Sequence, residues 1–318
     1  MATIPRTDQE FNARFQDEAR CREFLEHIRW PSGVRCPRCP NEEVTVMKQP
    51  RYRCNSETCE EYDFTAISET LLAGSHLPLR LWFQAMWYIV NQKNSPSAVD
   101  LQRVLGLGSN RTALRVLEIV KKAIKNSVQA PLTGSVEVDE FYLKGGRSGN
   151  GTLKSDNKIL VLIAVQDGHN SKGSRLRVRR VDGPPTTGLL EAIQQIICPG
   201  GNVSTDALLA YEELRRKGYQ HCPIRGSANL GDKLLPKPKR VAILLQRWLG
   251  AQRRYSSGSN LDYCLDEFAF RFNPHNANPS CTLFRRLLEQ AVTTVRSNAD
   301  SPLPSEDWAT LREPLAST

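Results

Sequence analysis

The chain has no apolar leader and no long apolar run. Its first residues, MATIPRTDQEF, lack the hydrophobic core of a secretion signal, and nowhere does it approach the roughly 18 uninterrupted apolar residues of a membrane span. A soluble intracellular protein is expected, cytoplasmic or nucleoid-associated if bacterial, with no membrane partner. Internal repeats and low-complexity tracts are also missing. Nine cysteines is an odd number, and without a secretion signal metal ligation is a better expectation than a disulfide framework. Acid is missing from one stretch: residues 233–254 contain seven Lys or Arg and no Asp or Glu. With 43 basic against 34 acidic side chains the net charge is +9. That clustered excess points to a polyanionic partner, nucleic acid first. At 318 residues the chain accommodates two domains, or one with appendages.

What is present divides into segments. Phe11, Phe15, Phe24, Leu25 and Ile28 recur at helical spacing and stop at Trp30-Pro31-Ser32-Gly33, giving a leading helix. Cys36-Pro-Arg-Cys39, two short strand-like runs, and Cys54 with Cys59 then read as a zinc ribbon, although four residues separate the second pair where two is commoner. Four thiolates around one Zn²⁺ replace the core that so small a module lacks. Cys21, Cys198, Cys222, Cys264 and Cys281 have no paired spacing and are expected in cores. LPLRLWFQAMWYIV (77–90) is a buried helix. Two amphipathic helices at about 96–105 and 109–124, joined by Gly106-Leu107-Gly108, match a helix-turn-helix, with Asn110, Arg111 and Arg115 where a recognition helix meets DNA.

From Pro131 the pattern changes to strands. VEVDEF alternates with period two up to Gly145-Gly146, putting Glu137 and Asp139 on one face and directing Glu140 away. KILVLIAVQ and RLRVRRV follow as strands, TTGLLEAIQQII as a helix, NVSTD as a strand ending at Asp206, LLAYEELRRKG as a second helix and His221–Ile224 as a fifth strand. The order strand, strand, strand, helix, strand, helix, strand, helix predicts an RNase H-like mixed α/β sheet with flanking helices. There Asp139 and Asp206 converge to hold Mg²⁺ or Mn²⁺ for phosphoryl transfer, with Glu137 as an auxiliary acid. Lys237, Arg240, Arg247, Arg253 and Arg254, in the acid-free stretch, suit a DNA backbone. A second basic block, Lys172, Arg175, Arg177, Arg179 and Arg180, lies on and before the third strand. The expected organisation is a leading helix and zinc ribbon (1–72), a helix-turn-helix region (73–130), an RNase H-like domain (131–295) and a loose tail (296–318).

RWPSGVRCPRC, HLPLRLWFQAMW, VEVDEFYLKGG, VSTDALLAYEEL, LLPKPKRVAILLQRWLG and LDEFAFRFN together resemble the ISXO-like insertion-sequence transposases. The resemblance implies a DDE-type domain acting on double-stranded DNA at element ends and at a target, structural Zn²⁺, catalytic Mg²⁺ or Mn²⁺, and a homo-oligomer. Asp139 and Asp206 match its first two acids. The third position departs: Lys239 stands where the pattern has histidine, asparagine or glutamate, and Gln246 where it has lysine. A lysine facing two carboxylates competes with a cation, so a catalytically degenerate DNA-binding relative is the alternative expectation. Asp232 and Glu267 are candidate substitutes for the third acid.

Overall fold

A computed structural model describes residues 4–39, 42–48, 51–128, 130–144, 158–168, 174–206, 209–224, 235–251, 258–273 and 279–295. They fall into two compact units, one formed by 1–126 with 278–318 and the other by 127–277.

In the first unit the leading segment is two helices, α1 (Asp8–Arg14) and α2 (Glu18–Arg29), because Asp17 caps α2 through the backbone N–H of Arg20. The ribbon follows as an antiparallel sheet of β1 (Val44–Val46), β2 (Tyr52–Cys54) and β3 (Asp63–Phe64). Its small core combines Cys36, Tyr52, Cys54 and Phe64 with Trp30. Helix α3 (Leu79–Asn91) is buried along most of its length. The Glu18 carboxylate accepts from its first backbone N–H groups, those of Leu79 and Arg80, which complements the positive end of the helix dipole.

Helices α4 (Ala98–Leu105) and α5 (Asn110–Ser127) occupy the stretch where a helix-turn-helix is expected. A Ser97–Asp100 capping box starts α4, and Gly106 ends it at φ 63°, a left-handed conformation that an L side chain resists.

The last described helix, Pro279–Thr293, packs in this first unit. Its Phe284 ring lies 5.5 Å from Trp87 and 5.7 Å from both Phe11 and Phe83. The sequence predicts an RNase H-like domain that continues to residue 295, whereas this helix belongs to the first unit. Its apolar face is instead claimed by the aromatic cluster of α1 and α3.

In the second unit β4 (Ser135–Lys144), β5 (Lys158–Gln166), β6 (Arg175–Arg180), β7 (Asn202–Asp206) and β8 (Gln220–Ile224) make a sheet in the order β6-β5-β4-β7-β8. The β4-β5-β6 pairs are antiparallel and the β4-β7-β8 pairs parallel, a mixed sheet of RNase H-like form. Helix α6 (Pro185–Ile196) covers one face, burying Leu189, Ile193 and Ile196 against Val136, Val138, Leu160 and Leu162. Gly188 is required in α6, since a Cβ there would lie 2.3 Å from the Asp182 carbonyl oxygen. The helix expected after β7 is a short 3-10 turn, Leu209–Leu214, whose Tyr211 and Leu214 enter the same core. Helix α7 (Pro236–Ala251) packs on β4 and β5, and α8 (Gly258–Phe272) on β6.

β6 lies at the edge of the sheet, and an uncovered edge leaves backbone groups unpaired. Asn273, just past α8, closes it. Its Oδ1 accepts from the Leu176 N–H at 2.6 Å and its Nδ2 donates to the Leu176 carbonyl at 3.2 Å, as a neighbouring strand would.

Candidate metal centres and nucleic-acid surface

The ribbon brings its four cysteines together. The Cys36 and Cys59 sulfurs are 3.9 Å apart, those of Cys39 and Cys54 are 3.5 Å apart, and all four lie within 4.8 Å of one another. Four thiolates at about 2.3 Å from one tetrahedral ion stand about 3.8 Å from each other, so the set fits Zn²⁺. Each knuckle turns its backbone toward a sulfur: the N–H of Arg38 points to Cys36 Sγ and that of Ser56 to Cys54 Sγ, both at 3.4 Å. The wider second spacing is absorbed by a 3-10 turn, Glu57–Cys59, followed by left-handed Glu60 and Glu61.

The second centre forms where β4 and β7 run side by side. Val136 pairs with Val203 and Glu137 with Ser204, so two residues further along Asp139 stands level with Asp206. The carboxylates of Asp139, Glu140 and Asp206 come within 4.8 Å of one another, each half-buried. Oxygen donors alone, at that spacing, fit a hard divalent cation. Burial first, and then the Asp206 charge, hold the Asp139 carboxyl above its usual range, while the Glu140 backbone N–H, at 3.1 Å, and the Lys239 charge pull it back. Glu140 is likewise raised, chiefly by burial, and its hydrogen bond from the Tyr211 hydroxyl opposes that shift.

Two acids thereby depart from their expected places. Glu140, expected to point away, is part of the centre. It shares the alternation of Val136 and Val138, whose core also holds Tyr211, and the Tyr211 hydroxyl donates to its carboxylate, which still comes within 4.8 Å of Asp139 and Asp206. Glu137, expected as the auxiliary acid, is engaged elsewhere: its carboxylate lies 3.0 Å from Lys237 Nζ, which also pairs with Asp167. Lys237, expected to meet DNA, is thus bound within the protein and fastens α7 to the sheet. Lys239 is half-buried on α7, with its charge felt at Asp139. Gln246 is exposed two turns further on.

Glu267 does not replace the third acid. It is fully buried, and Arg271 holds it at 2.7 Å on α8, a helix that packs on β6, away from β4 and β7. Asp232, Lys233, Lys172, Arg253 and Arg254 lie outside the described residues.

The basic residues divide by exposure. Asn110 and Arg111 are exposed at the start of α5, and Arg240 and Arg247 are exposed on α7. Arg115 is partly buried, 2.7 Å from Glu118. The block on β6 is largely consumed internally. Arg180 pairs with Asp262 at 2.9 Å, Arg175 donates to the Ala130 carbonyl at 3.0 Å, and Arg177 is buried, with burial lowering its pKa to about 10. Of the unpaired cysteines, Cys21, Cys264 and Cys281 are buried, whereas Cys198 is intermediate and Cys222 exposed, contrary to expectation. Among the described residues, no helix is long and apolar enough to cross a membrane.

Residues 131–273 match the ISXO2-like transposase domain, and residues 16–61 the transposase zinc-ribbon domain. An uncharacterized protein in transposable element ISH50 of Halobacterium salinarum is 31% identical over 138 residues, which cover 42% of this chain and 45% of that protein. The match therefore spans about half the length of that relative. Among solved structures, a chain from the cryo-EM structure of a simian T-cell lymphotropic virus intasome superposes with a TM-score of 0.28 at 11% identity, covering 66% of this chain and 71% of that one. So low a score carries no structural argument.

Proposed function

The chain carries a transposase zinc-ribbon domain followed by an ISXO2-like transposase domain, and from that premise we propose that it is an insertion-sequence DNA transposase whose Asp139, Glu140 and Asp206 bind a divalent cation for strand cleavage and strand transfer. The observation that carries the proposal is the convergence of these three carboxylates from two strands within 4.8 Å. Mg²⁺ or Mn²⁺ bound there supplies Lewis-acid activation of the attacking oxygen and charge relief at the leaving oxygen. Asp139 and Asp206 are fixed by the parallel β4-β7 pairing. Glu140 supplies the third carboxylate that the basic helix lacks. Lys239, on α7, offers a counter-charge to a DNA phosphate brought to the centre. Asn110 and Arg111 on α5, and Arg240 and Arg247 on α7, would contact DNA, their charges acting mainly on the backbone. An element has two ends, and the described residues of each chain hold one acidic cluster, so on this reading the working complex contains at least two copies.

Nicking and strand transfer on DNA carrying the inverted repeats that flank the coding locus test this directly. Activity with Mg²⁺ or Mn²⁺ that disappears in Asp139→Asn is expected, and an inert wild type contradicts it. Lys239 favours a second reading, a transposase-derived protein that binds DNA without cutting it, because an ammonium beside Asp139 competes with a cation. On that reading the wild type is inert, and Lys239→His with Gln246→Lys gains nicking.

A further inference from the structure

We infer that Tyr211 is a positioning residue of the acidic centre, holding the Glu140 carboxylate so that one oxygen remains directed at Asp139 and Asp206. The inference rests on reading that centre as a divalent-metal site. Tyr211 is fully buried, among Ile193, Leu214 and Tyr219, on the turn that begins three residues after Asp206. Its hydroxyl donates to Glu140 Oε2.

A buried tyrosine hydroxyl requires a partner, and the neighbouring Tyr219 shows the ordinary solution: its hydroxyl donates to the Ile197 carbonyl at 3.0 Å, backbone to which no chemistry falls. Tyr211 instead spends its hydrogen bond on a member of the acidic set. The consequence is geometric. A glutamate has three side-chain torsions, and at half-buried Glu140 they are not fixed by the strand pairing with β5 alone. A ring locked in the core removes that freedom by engaging Oε2, which leaves Oε1 to serve as a ligand. Burial and the adjacent carboxylate push the Tyr211 hydroxyl far above its usual range, so it remains a donor throughout the working pH range. Groups of this kind, hydrogen-bonded to a ligating carboxylate, typically change metal affinity about 10- to 100-fold when removed.

The test is calorimetric titration of Mn²⁺ into the full-length, zinc-loaded protein, comparing wild type with Tyr211→Phe, Glu140→Gln and the double variant. Tyr211→Phe keeps the ring and the packing. It is expected to weaken Mn²⁺ binding about 10- to 100-fold; Glu140→Gln should weaken it at least as much, and the double variant no more than Glu140→Gln alone. If Tyr211→Phe fails to fold, Tyr211→Leu, which likewise removes the hydroxyl and leaves Glu140 unaltered, is titrated instead, and the same loss is expected. Wild-type affinity in Tyr211→Phe, with or without a lower melting temperature, overturns the positioning role while leaving the metal centre standing if Asp139→Asn abolishes binding. Absence of Mn²⁺ binding in the wild type overturns the metal centre and this inference with it.

Discussion

Asp139, Glu140 and Asp206 gather three acidic groups in a half-buried place, and the cost should show in zinc-loaded protein kept free of other divalent cations. The Asp139 and Glu140 carboxyls both titrate above their usual range, so their contribution favours the fold at low pH and is lost as pH rises through their folded-state values. Asp139→Asn is therefore expected to raise the neutral-pH stability of this zinc-loaded protein, by on the order of 1 kcal/mol, and to flatten its dependence on acid pH. Thermal unfolding across pH checks this. Glu137→Gln should behave oppositely: Mn²⁺ affinity unchanged, and stability lowered by about 1 kcal/mol through loss of the partly exposed Lys237 pair. That Asp139 and Asp206 come together was readable from strand alternation and order. That Glu140 rather than Glu137 joins the acidic cluster was not, because Glu137 is taken by Lys237 of α7 and Glu140 by Tyr211, and no period in the sequence records either contact. An acid next to Asp139 and a tyrosine five residues after Asp206 were the available signals, too weak to interpret without the register.

Single elements explain what certain short sequence stretches do. The Arg-Phe-Asn that ends α8 combines Arg271, which neutralises buried Glu267, with Asn273, which closes the free edge of β6. Asn273→Ala leaves the Leu176 N–H and carbonyl without that partner in a buried place and should cost about 2 kcal/mol in urea unfolding, whereas Asn273→Asp, which keeps the acceptor, should cost less. The ribbon was legible from cysteine spacing alone, since coordination geometry leaves few ways to bring four thiolates together. Its irregular second pair needed the 3-10 turn at Glu57–Cys59 to be understood. The helix of residues 279–293 could not be assigned to a unit from its own pattern. An amphipathic face states that it will be buried, not against what, and here the aromatic rings of Phe11, Phe83 and Trp87 decide.

At the scale of the whole molecule, the two units should respond separately to metal. Stripping zinc is expected to release amide protection across residues 36–64 while leaving the β4–β8 sheet protected, as hydrogen exchange would report. The net charge of +9 is not spread evenly over exposed surface: the β6 arginines are spent on internal partners, and Lys237 ties α7 to the sheet. DNA affinity should fall linearly with salt on a log–log scale, and Arg111→Ala and Arg240→Ala should each reduce that slope by about 1. Lys237→Ala should instead act on stability.

The claim on which the account depends is that Glu140 joins Asp139 and Asp206 in one divalent-metal centre, and anomalous diffraction from crystals soaked in Mn²⁺ tests it most directly. The account predicts an anomalous peak bounded by all three carboxylates, with a Glu140 oxygen at roughly 2.1–2.3 Å from the ion. A peak held by Asp139 and Asp206 with Glu140 turned away, or no peak between β4 and β7 at all, would contradict it.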